Sequence, residues 1–541
     1  MRSIAIATAV FAAGIGTVQP AGAQAFQGLS TTGDGSVLYF SSPDRIAGSG
    51  ESFHSKIFRW DATNGFQLVA EVADTGTSVG CTTANFYQLS SPQVSADGTV
   101  LAYTGSRPAV DARYCAPSEP NQGMVQQNGM DRTFTGSLGL SPDGRYVITT
   151  PADAITNGYH FVTDLQSGSA AIVSGAFNGD RRRITDDAAV LTTEPSALVL
   201  TDRFGGTRVW QTQMAVSDAI VDQSGKTLVY LTAIGPNHPG AISAIDVATG
   251  TEKEIFTGFS PGNLYLTADG SKLLFTNGAG SGVYLYLIGV DGSGQRQVAM
   301  ANVGDAVLSG DGSVVYANSA DGGLTRIDVA SGNATELAPD TPIVIAAYRP
   351  YPPATTVAAV GSVITLYGPG PAGVQQVTFC GQPVSFSKGQ FLQFQVPWNL
   401  PNQTCDAIVQ TTSPFEAAIS LTVQQYDPQF VTDGNGSALL YHGNFSGPVD
   451  AAAPAQAGEV VVAYMTGLGP VDQNGMLSKP GFFCRFDFTQ ANLSYVGLAP
   501  GLTGFYQVNV EVPDLSEASG TLTCGWDVST EASAGFTLGP D

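Results

Sequence analysis

Charged residues are scarce in this chain, and basic residues are scarcer than acidic ones. Only 12% of the 541 residues are Asp, Glu, Lys or Arg, and 45 acidic residues against 22 basic ones give a net charge of −23. Nucleic acids and anionic membranes are bound through basic surfaces, so this composition excludes both as expected partners. The simplest role of the acidity is to keep a protein outside the cytoplasm soluble.

Histidine is also rare, which limits metal and acid–base chemistry. The four histidines are His54, His160, His238 and His442, and no two of them have the His-x-x-x-His or His-x-His spacing of a zinc site. One Gly-x-Ser-x-Gly string, residues 76–80, lies in a polar loop without the strand and helix that a nucleophilic serine needs. The sequence therefore predicts no catalytic residue, no metal and no cofactor.

Long apolar runs are absent beyond the N-terminus, so no membrane insertion is expected. The first residues contain one positive charge and an apolar run from Ile4 to about Ile15, followed by small residues. This pattern predicts a signal peptide over residues 1–23, cleaved after Ala23 or Ala25. We therefore expect a secreted or periplasmic protein.

Six cysteines in an exported chain predict disulfide bonds rather than metal ligands, and no Cys-x-x-Cys pair is present. Six cysteines can pair into three disulfides in fifteen different ways. The domain layout favours pairing between neighbours in the sequence, which gives Cys81–Cys115, Cys380–Cys405 and Cys484–Cys524.

Glycine is abundant, with 65 residues, and much of it belongs to one repeated turn. The turn is Ser/Thr-x-Asp-Gly followed by a short apolar strand. A second hairpin phrase such as IDVATG follows in five repeats, and a variant, GVDGSG, follows in a sixth. Five full copies and two weaker ones begin at Thr32, Ser95, Ser141, Thr267 and Ser309, and at Thr185 and Asp222.

The third positions of the turns are 34, 97, 143, 187, 224, 269 and 311, and all intervals after the first fit a four-stranded propeller blade. The sequence therefore predicts an all-β chain with a seven-bladed β-propeller over residues 26–345. Counts of six or eight stay open, because residues 341–350 can add a closing strand. SPDG- and SADG-type turns followed by a strand resemble the WD40-like repeats of TolB-type bacterial propellers. That resemblance implies a fold and no particular function.

A Pro-rich stretch marks a linker over residues 346–356. Two similar segments follow, in which GSVITLYG is echoed by GEVVVAYMTG and FLQFQVPWNLP by FYQVNVEVPDL. They predict two immunoglobulin-like sandwiches, 357–426 and 427–541. The phrases TGLGPV and APGLTGFYQVNV resemble an exported C-terminal module, similar to IPT/TIG sandwiches, of Solibacter-type acidobacteria. No activity is implied by it.

Three groups of residues are candidates for binding. The run Arg181–Arg183 can dock an anion or carboxylate through its guanidinium groups, or it can pair locally with Asp180, Asp186 and Asp187. His54 and His238 lie on predicted loops of one propeller face. The predicted Cys81–Cys115 disulfide would hold two long loops over the same face, including Arg113 and Tyr114.

Three functions fit these observations. The favoured one is an exported, non-catalytic protein that binds a protein or glycan on this propeller face. An enzyme of lactonase or lyase type at the channel mouth is the first alternative, and it requires acid–base groups with shifted pKa values there. A structural envelope component is the second alternative.

Overall fold

The computed structural model describes residues 26–42, 45–46, 55–71, 88–107, 119–151, 158–174, 180–232, 240–258, 261–279, 282–299, 303–319, 323–338, 346–348, 355–367, 374–388, 392–432, 437–450, 452–514, 519–527 and 530–537. Apart from one three-residue 3-10 helix, every helix or strand in these stretches is a β-strand, so the prediction of an all-β chain is confirmed. In this part of the chain no helix has the length and apolarity needed to cross a bilayer.

The chain divides into two compact units, and the first comprises residues 24–343 together with 412–416. Its strands up to the 3-10 helix are β1 (Gln27–Thr31), β2 (Val37–Ser42), β3 (Arg45–Ile46), β4 (Lys56–Asp61), β5 (Gly65–Ala70), β6 (Gln88–Val94), β7 (Val100–Arg107), β8 (Glu119–Gln127), β9 (Met130–Thr135), β10 (Ser137–Leu140), β11 (Tyr146–Thr150), β12 (Tyr159–Asp164) and β13 (Ala170–Ser174). The helix is Arg181–Arg183. After it come β14 (Val190–Glu194), β15 (Ala197–Thr201), β16 (Thr207–Gln211), β17 (Val216–Val221), β18 (Thr227–Thr232), β19 (Gly240–Asp246), β20 (Glu252–Gly258), β21 (Pro261–Leu266), β22 (Lys272–Ala279), β23 (Gly282–Gly289), β24 (Arg296–Ala299), β25 (Val303–Leu308), β26 (Val314–Ser319), β27 (Leu324–Asp328) and β28 (Ala334–Ala338).

These strands form antiparallel sheets that follow one another along the chain, numbered here one to seven. Six have four described strands, in the orders β1-β2-β4-β5, β6-β7-β8-β9, β10-β11-β12-β13, β17-β18-β19-β20, β21-β22-β23-β24 and β25-β26-β27-β28. Sheet four has three, in the order β14-β15-β16. Strand β3 pairs instead with residues 415 and 416.

The repeated turn joins the first and second strands of a sheet, and its side chains hold it closed. The hydroxyl of Ser141 donates to the carboxylate of Asp143 at 2.6 Å, while the N–H of Gly144 donates to the carbonyl of Ser141 at 2.9 Å. In the turn of sheet five the aspartate stands first and the serine third, and the hydroxyl of Ser224 donates to the carboxylate of Asp222. The weaker copy in the sequence therefore builds the same turn.

Each sheet packs on the next through buried apolar side chains. The cluster between sheets four and five, for example, contains Leu191, Leu198, Leu228 and Tyr230. Sheet seven adjoins sheet one, where the hydroxyl of Tyr316 donates to a backbone carbonyl of the first turn at 2.8 Å. The last described sheet of this unit thus adjoins the first.

The second unit comprises residues 344–411 and 417–541. Its described strands are β29 (Ala346–Tyr348), β30 (Val357–Ala359), β31 (Val363–Tyr367), β32 (Gln376–Phe379), β33 (Gln382–Pro383), β34 (Phe386–Lys388), β35 (Leu392–Gln395), β36 (Gln403–Gln410), β37 (Phe415–Gln424), β38 (Gln429–Phe430), β39 (Leu440–His442), β40 (Val460–Thr466), β41 (Phe483–Phe486), β42 (Thr489–Ala491), β43 (Leu493–Leu498), β44 (Tyr506–Glu511), β45 (Ser519–Gly525) and β46 (Glu531–Thr537). Strand β29 lies inside the predicted linker and pairs with β31.

Two of the three predicted disulfides, Cys380–Cys405 and Cys484–Cys524, are present. Cys484 and Cys524 lie opposite each other on paired strands β41 and β45, and both are fully buried in the apolar core of residues 438–536. Cys81 and Cys115 lie outside the described residues, so the third pair stays a prediction.

Candidate functional site

A cavity of about 370 Å³ lies where the first strands of the sheets in the first unit meet. Its wall is formed by residues of β1, β6, β17, β21 and β25, and by the 3-10 helix. The polar side chains on this wall are Ser30, Ser91, Gln93, Asp180, Arg181, Arg182, Asp222, Gln223, Asn263, Tyr265 and Asp305, together with Thr31 and Thr267. The candidate site is this cavity.

The 3-10 helix occupies the place of a first strand in sheet four. The carboxylate of Asp180 caps it by accepting the N–H of Arg182 at 3.0 Å, and the N–H of Ile184 donates to the carbonyl of Arg181 at 3.1 Å. Only Ile184 makes a ladder contact, an isolated bridge to Val190 at the start of β14. Sheet four therefore presents arginines to the cavity where other sheets present a strand.

Two of the three arginines have carboxylate partners. The guanidinium of Arg182 contacts Asp180 at 2.8 Å and Asp218 at 3.2 Å, and that of Arg183 contacts the same two carboxylates at 3.5 and 3.0 Å. Burial opposes ionisation of Asp180, yet the charge of Arg182 keeps its pKa below the ordinary value. These two arginines and two aspartates compensate each other's charge.

Arg181 differs, because the only hydrogen bond of its side chain within the described residues goes to a neutral group. Its Nη1 donates to the hydroxyl of Ser30 at 2.9 Å, and no described carboxylate forms an ion pair with it. Burial lowers the pKa of Arg181 to about 10, and only the field of Asp186 opposes that effect. The guanidinium stays charged at neutral pH and is available to a carboxylate, which it can bind through two parallel hydrogen bonds.

The wall next to this guanidinium is held rigidly. The hydroxyl of Tyr265 donates to Oδ1 of Asp305 at 3.0 Å, and the N–H of Leu29 donates to Oδ2 of Asp305 at 3.2 Å. Arg182 lies over the Tyr265 ring with 5.6 Å between the guanidinium carbon and the ring centroid. Burial raises the pKa of Tyr265, so the phenol is neutral and acts as a hydrogen-bonding group.

Five of the second residues of the repeated turns line the floor of the cavity, namely Gly33, Ala96, Pro142, Gln223 and Gly310. Backbone hydrogen bonds link neighbouring turns. The described bonds run from the N–H of Gly33 to Ala96, of Ala96 to Pro142, of Asp186 to Gln223 and of Ala268 to Gly310, each at 2.8 Å, and from the N–H of Asp311 to Gly33 at 2.9 Å. The last of these bonds joins the seventh turn to the first.

Asp186 is the one carboxylic acid among the second residues of the seven turns. Burial raises its pKa to about 6, and the nearby carboxylates of Asp143, Asp187 and Asp222 reinforce the shift. Its Oδ1 is buried and accepts no hydrogen bond from the described part of the chain. Asp186 therefore changes its charge at mildly acidic pH, and it lies close to Arg181.

The predicted local pairing of the arginines needs a correction. Asp180 does pair with Arg182 and Arg183, but their second partner is Asp218 from the neighbouring sheet. Asp187 instead accepts the hydroxyl of Thr185 within its own turn. Sequence proximity does not decide the pairing because the side chains of sheet five reach the same wall.

Other predicted site residues are not placed by the structure. His54, Arg113, Tyr114 and His238 lie outside the described residues and stay predictions, as do residues 76–80 and the signal peptide. Of the described histidines, His160 is buried. His442, in the second unit, contacts Glu459 at 2.6 Å, which raises the pKa of the imidazole. Within the described residues no group of three His, Cys, Asp or Glu is arranged to hold a metal ion.

Comparisons with known proteins give likenesses of fold at low identity. No protein-family model and no curated protein sequence matches the chain. Among solved structures, it is similar to the β-propeller domain of the Trilobed protease from Pyrococcus furiosus, with 13% identity, a TM-score of 0.40, and coverage of 59% of this chain and 98% of that one. It is also similar to an oligogalacturonate lyase in complex with manganese (14%, 0.39, 54% and 84%) and to a putative TolB from Agrobacterium tumefaciens (19%, 0.30, 38% and 84%).

Proposed function

We propose that this chain is an exported, non-catalytic binding protein, in which a seven-bladed β-propeller precedes two immunoglobulin-like sandwiches. Its central cavity binds a carboxylate carried by a protein or glycan. The observation that carries the proposal is Arg181, a partly buried guanidinium on the wall of a 370 Å³ cavity, whose only hydrogen bond within the described residues goes to a neutral hydroxyl. A partly desolvated cation that forms no ion pair within the described residues favours an anionic ligand, which can supply a direct charged partner.

The propeller assignment is supported by the succession of seven sheets, by the apolar clusters between neighbours and by the junction of sheet seven with sheet one. The sandwich assignment is supported by the largely antiparallel sheets of the second unit and by its two disulfides. Those disulfides and the N-terminal sequence pattern support export.

Calorimetric titration of the mature chain with glucuronate and glucose tests the proposal, because the two sugars differ in the carboxylate. We expect glucuronate to bind and glucose not to bind, and Arg181→Met to weaken glucuronate binding by at least about tenfold. Arg208→Met, at an exposed arginine on β16, is the matched control and leaves binding unchanged. Equal binding of both sugars, or unchanged binding by Arg181→Met, would contradict the proposal.

One observation favours the enzyme alternative. Asp186 has a pKa of about 6 and lies near Arg181, and a carboxyl group poised in that range suits general acid–base catalysis. Incubation with acidic polysaccharides and lactones, followed by chromatography of products, tests it. Turnover by the parent chain that is lost in Asp186→Asn would establish this alternative and overturn the non-catalytic reading.

A further inference from the structure

A second opening of about 420 Å³ lies in the second unit, far along the chain from Arg181. Its wall combines the start of β36, the end of β37 and a residue just before β46. The side chains that matter to its chemistry are Gln403, Thr404, Thr422, Gln424, Tyr426 and Thr530. We call this opening the amide groove.

None of the side chains that line the amide groove is charged, although the chain as a whole carries a net charge of −23. Val423 is the only apolar one among them. Carboxamides and hydroxyls both donate and accept hydrogen bonds, as sugar hydroxyls do. The lining thus offers no counter-charge to an ion.

The side-chain amides of two lining residues are hydrogen-bonded to the backbone and shape the groove. The side-chain carbonyl of Asn402 accepts the N–H of Gln425 at 3.1 Å, and the amide of Gln425 donates to the carbonyl of Leu400 at 2.7 Å. By contrast, the side chains of Gln403 and Gln424 make no hydrogen bond within the described residues. The groove therefore has a fixed frame and free hydrogen-bonding groups on it.

Tyr426 gives the groove an aromatic wall that is held from behind. Its ring packs on Trp526 with centroids 4.9 Å apart and an interplanar angle of 60°. The ammonium of Lys479 lies 4.5 Å from the Tyr426 centroid and 4.9 Å from that of Trp526. A ring held by an aromatic neighbour and a cation keeps its position, so this side chain can contact a ligand in the groove without reordering.

We propose that the amide groove binds a neutral oligosaccharide. Carboxamides supply directional hydrogen bonds, the tyrosine supplies a fixed aromatic side chain on the wall, and the uncharged lining gives ions no favourable partner. This site does not depend on the cavity that contains Arg181, and it gives the second unit a binding role of its own.

The test is titration of the mature chain, followed by NMR or calorimetry, with cellohexaose, xylohexaose and maltohexaose, and with hexagalacturonate as the charged comparison. We expect at least one neutral hexasaccharide to bind below about 5 mM. Gln403→Ala and Gln424→Ala should each weaken that binding about fivefold, and the double variant about twentyfold. Gln490→Ala, at an exposed amide on β42, is the matched control.

The outcomes separate this proposal from the one on Arg181. Arg181→Met must leave neutral-sugar binding unchanged, and the amide variants must leave glucuronate binding unchanged. Tyr426→Ala tests the aromatic wall, and circular dichroism of the same sample checks that the unit is folded. The proposal is overturned if no neutral hexasaccharide binds at about 5 mM, if hexagalacturonate binds better at the groove, or if the double variant binds like the parent.

Discussion

Sheet four and the other sheets of the first unit share one turn but differ in what precedes it. In sheet three the turn at Ser141 follows strand β10, whereas in sheet four the turn at Thr185 follows a 3-10 helix of three arginines. The turn is retained because its hydrogen bonds to neighbouring turns close the floor of the cavity. The strand is the part that can be replaced, and its replacement brings positive charge into the interior.

The largest difference that mutation can reveal lies between Arg182 and Arg181. Arg182→Met should lower the free energy of unfolding by about 2 to 3 kcal/mol, because Asp180 and Asp218 would lose a buried counter-charge. Arg181→Met should change it by less than about 1 kcal/mol, since that guanidinium has no carboxylate partner among the described residues. Urea unfolding of both variants measures this, and equal losses would remove the distinction between the two arginines.

The next prediction concerns the turn of sheet three, where Gly144 has φ of 76°. Gly144→Ala should destabilise by about 2 kcal/mol, because the new Cβ would lie 2.8 Å from Cβ of Ser95 in a left-handed backbone conformation. Gly168→Ala is the control, with φ of 71° and no atom within 4 Å of the added Cβ, and should cost about 1 kcal/mol. Chemical unfolding should therefore show a larger loss at Gly144 than at Gly168.

Asp186 should make the stability of the first unit depend on pH. Its pKa in the folded chain is about 6, above the ordinary 3.8, so the folded state holds the proton more tightly than the unfolded state. Stability from this group is complete below about pH 4 and is lost as the pH rises through about 6. Asp186→Asn should be more stable than the parent at pH 8 by about 1 to 2 kcal/mol. This range is smaller than the full pKa shift would give, because the Asp186 side chain is partly exposed to solvent.

Unfolding midpoints of the parent and Asp186→Asn between about pH 4 and pH 8 measure that difference. The two curves should meet at the acidic end, separate between about pH 4 and pH 6, and keep a constant separation above that range. If the cavity binds carboxylates at Arg181, loss of the Asp186 charge should also strengthen glucuronate binding as the pH falls through that range. Parallel stability curves would show that Asp186 has an ordinary pKa.

The repeated turns made the strand pattern predictable, because Asp, Ser and Gly act locally. The hydrogen bond from Ser141 to Asp143 spans two residues, so its signal is complete within the motif. The weaker copy at Asp222 was also recognised from strand and turn residues, although its two polar side chains are exchanged.

The cavity was less predictable because it depends on contacts between sheets. The sequence shows the arginine run and indicates anion binding or local pairing for it. The partner Asp218, however, comes from sheet five, which the sequence does not indicate. Nor did the sequence separate Arg181 from Arg182, since neighbouring residues on a 3-10 helix face different parts of the wall. The sequence does distinguish Asp186 as a candidate site residue, because the equivalent residues in the other turns are uncharged.

The smallest expected change in the free energy of unfolding is a gain in stability. Sheet four has Ala188 where the other six turns have glycine, and Ala188 has φ of 63°. A left-handed conformation costs alanine about 1 kcal/mol relative to glycine, so Ala188→Gly should stabilise the first unit by up to about 1 kcal/mol despite greater freedom in the unfolded chain. Urea unfolding of Ala188→Gly beside Gly144→Ala measures both. Opposite signs would show that the turn of sheet four keeps the backbone geometry of the repeat, whereas a loss in both variants would show that contacts of the buried Ala188 methyl outweigh its backbone strain.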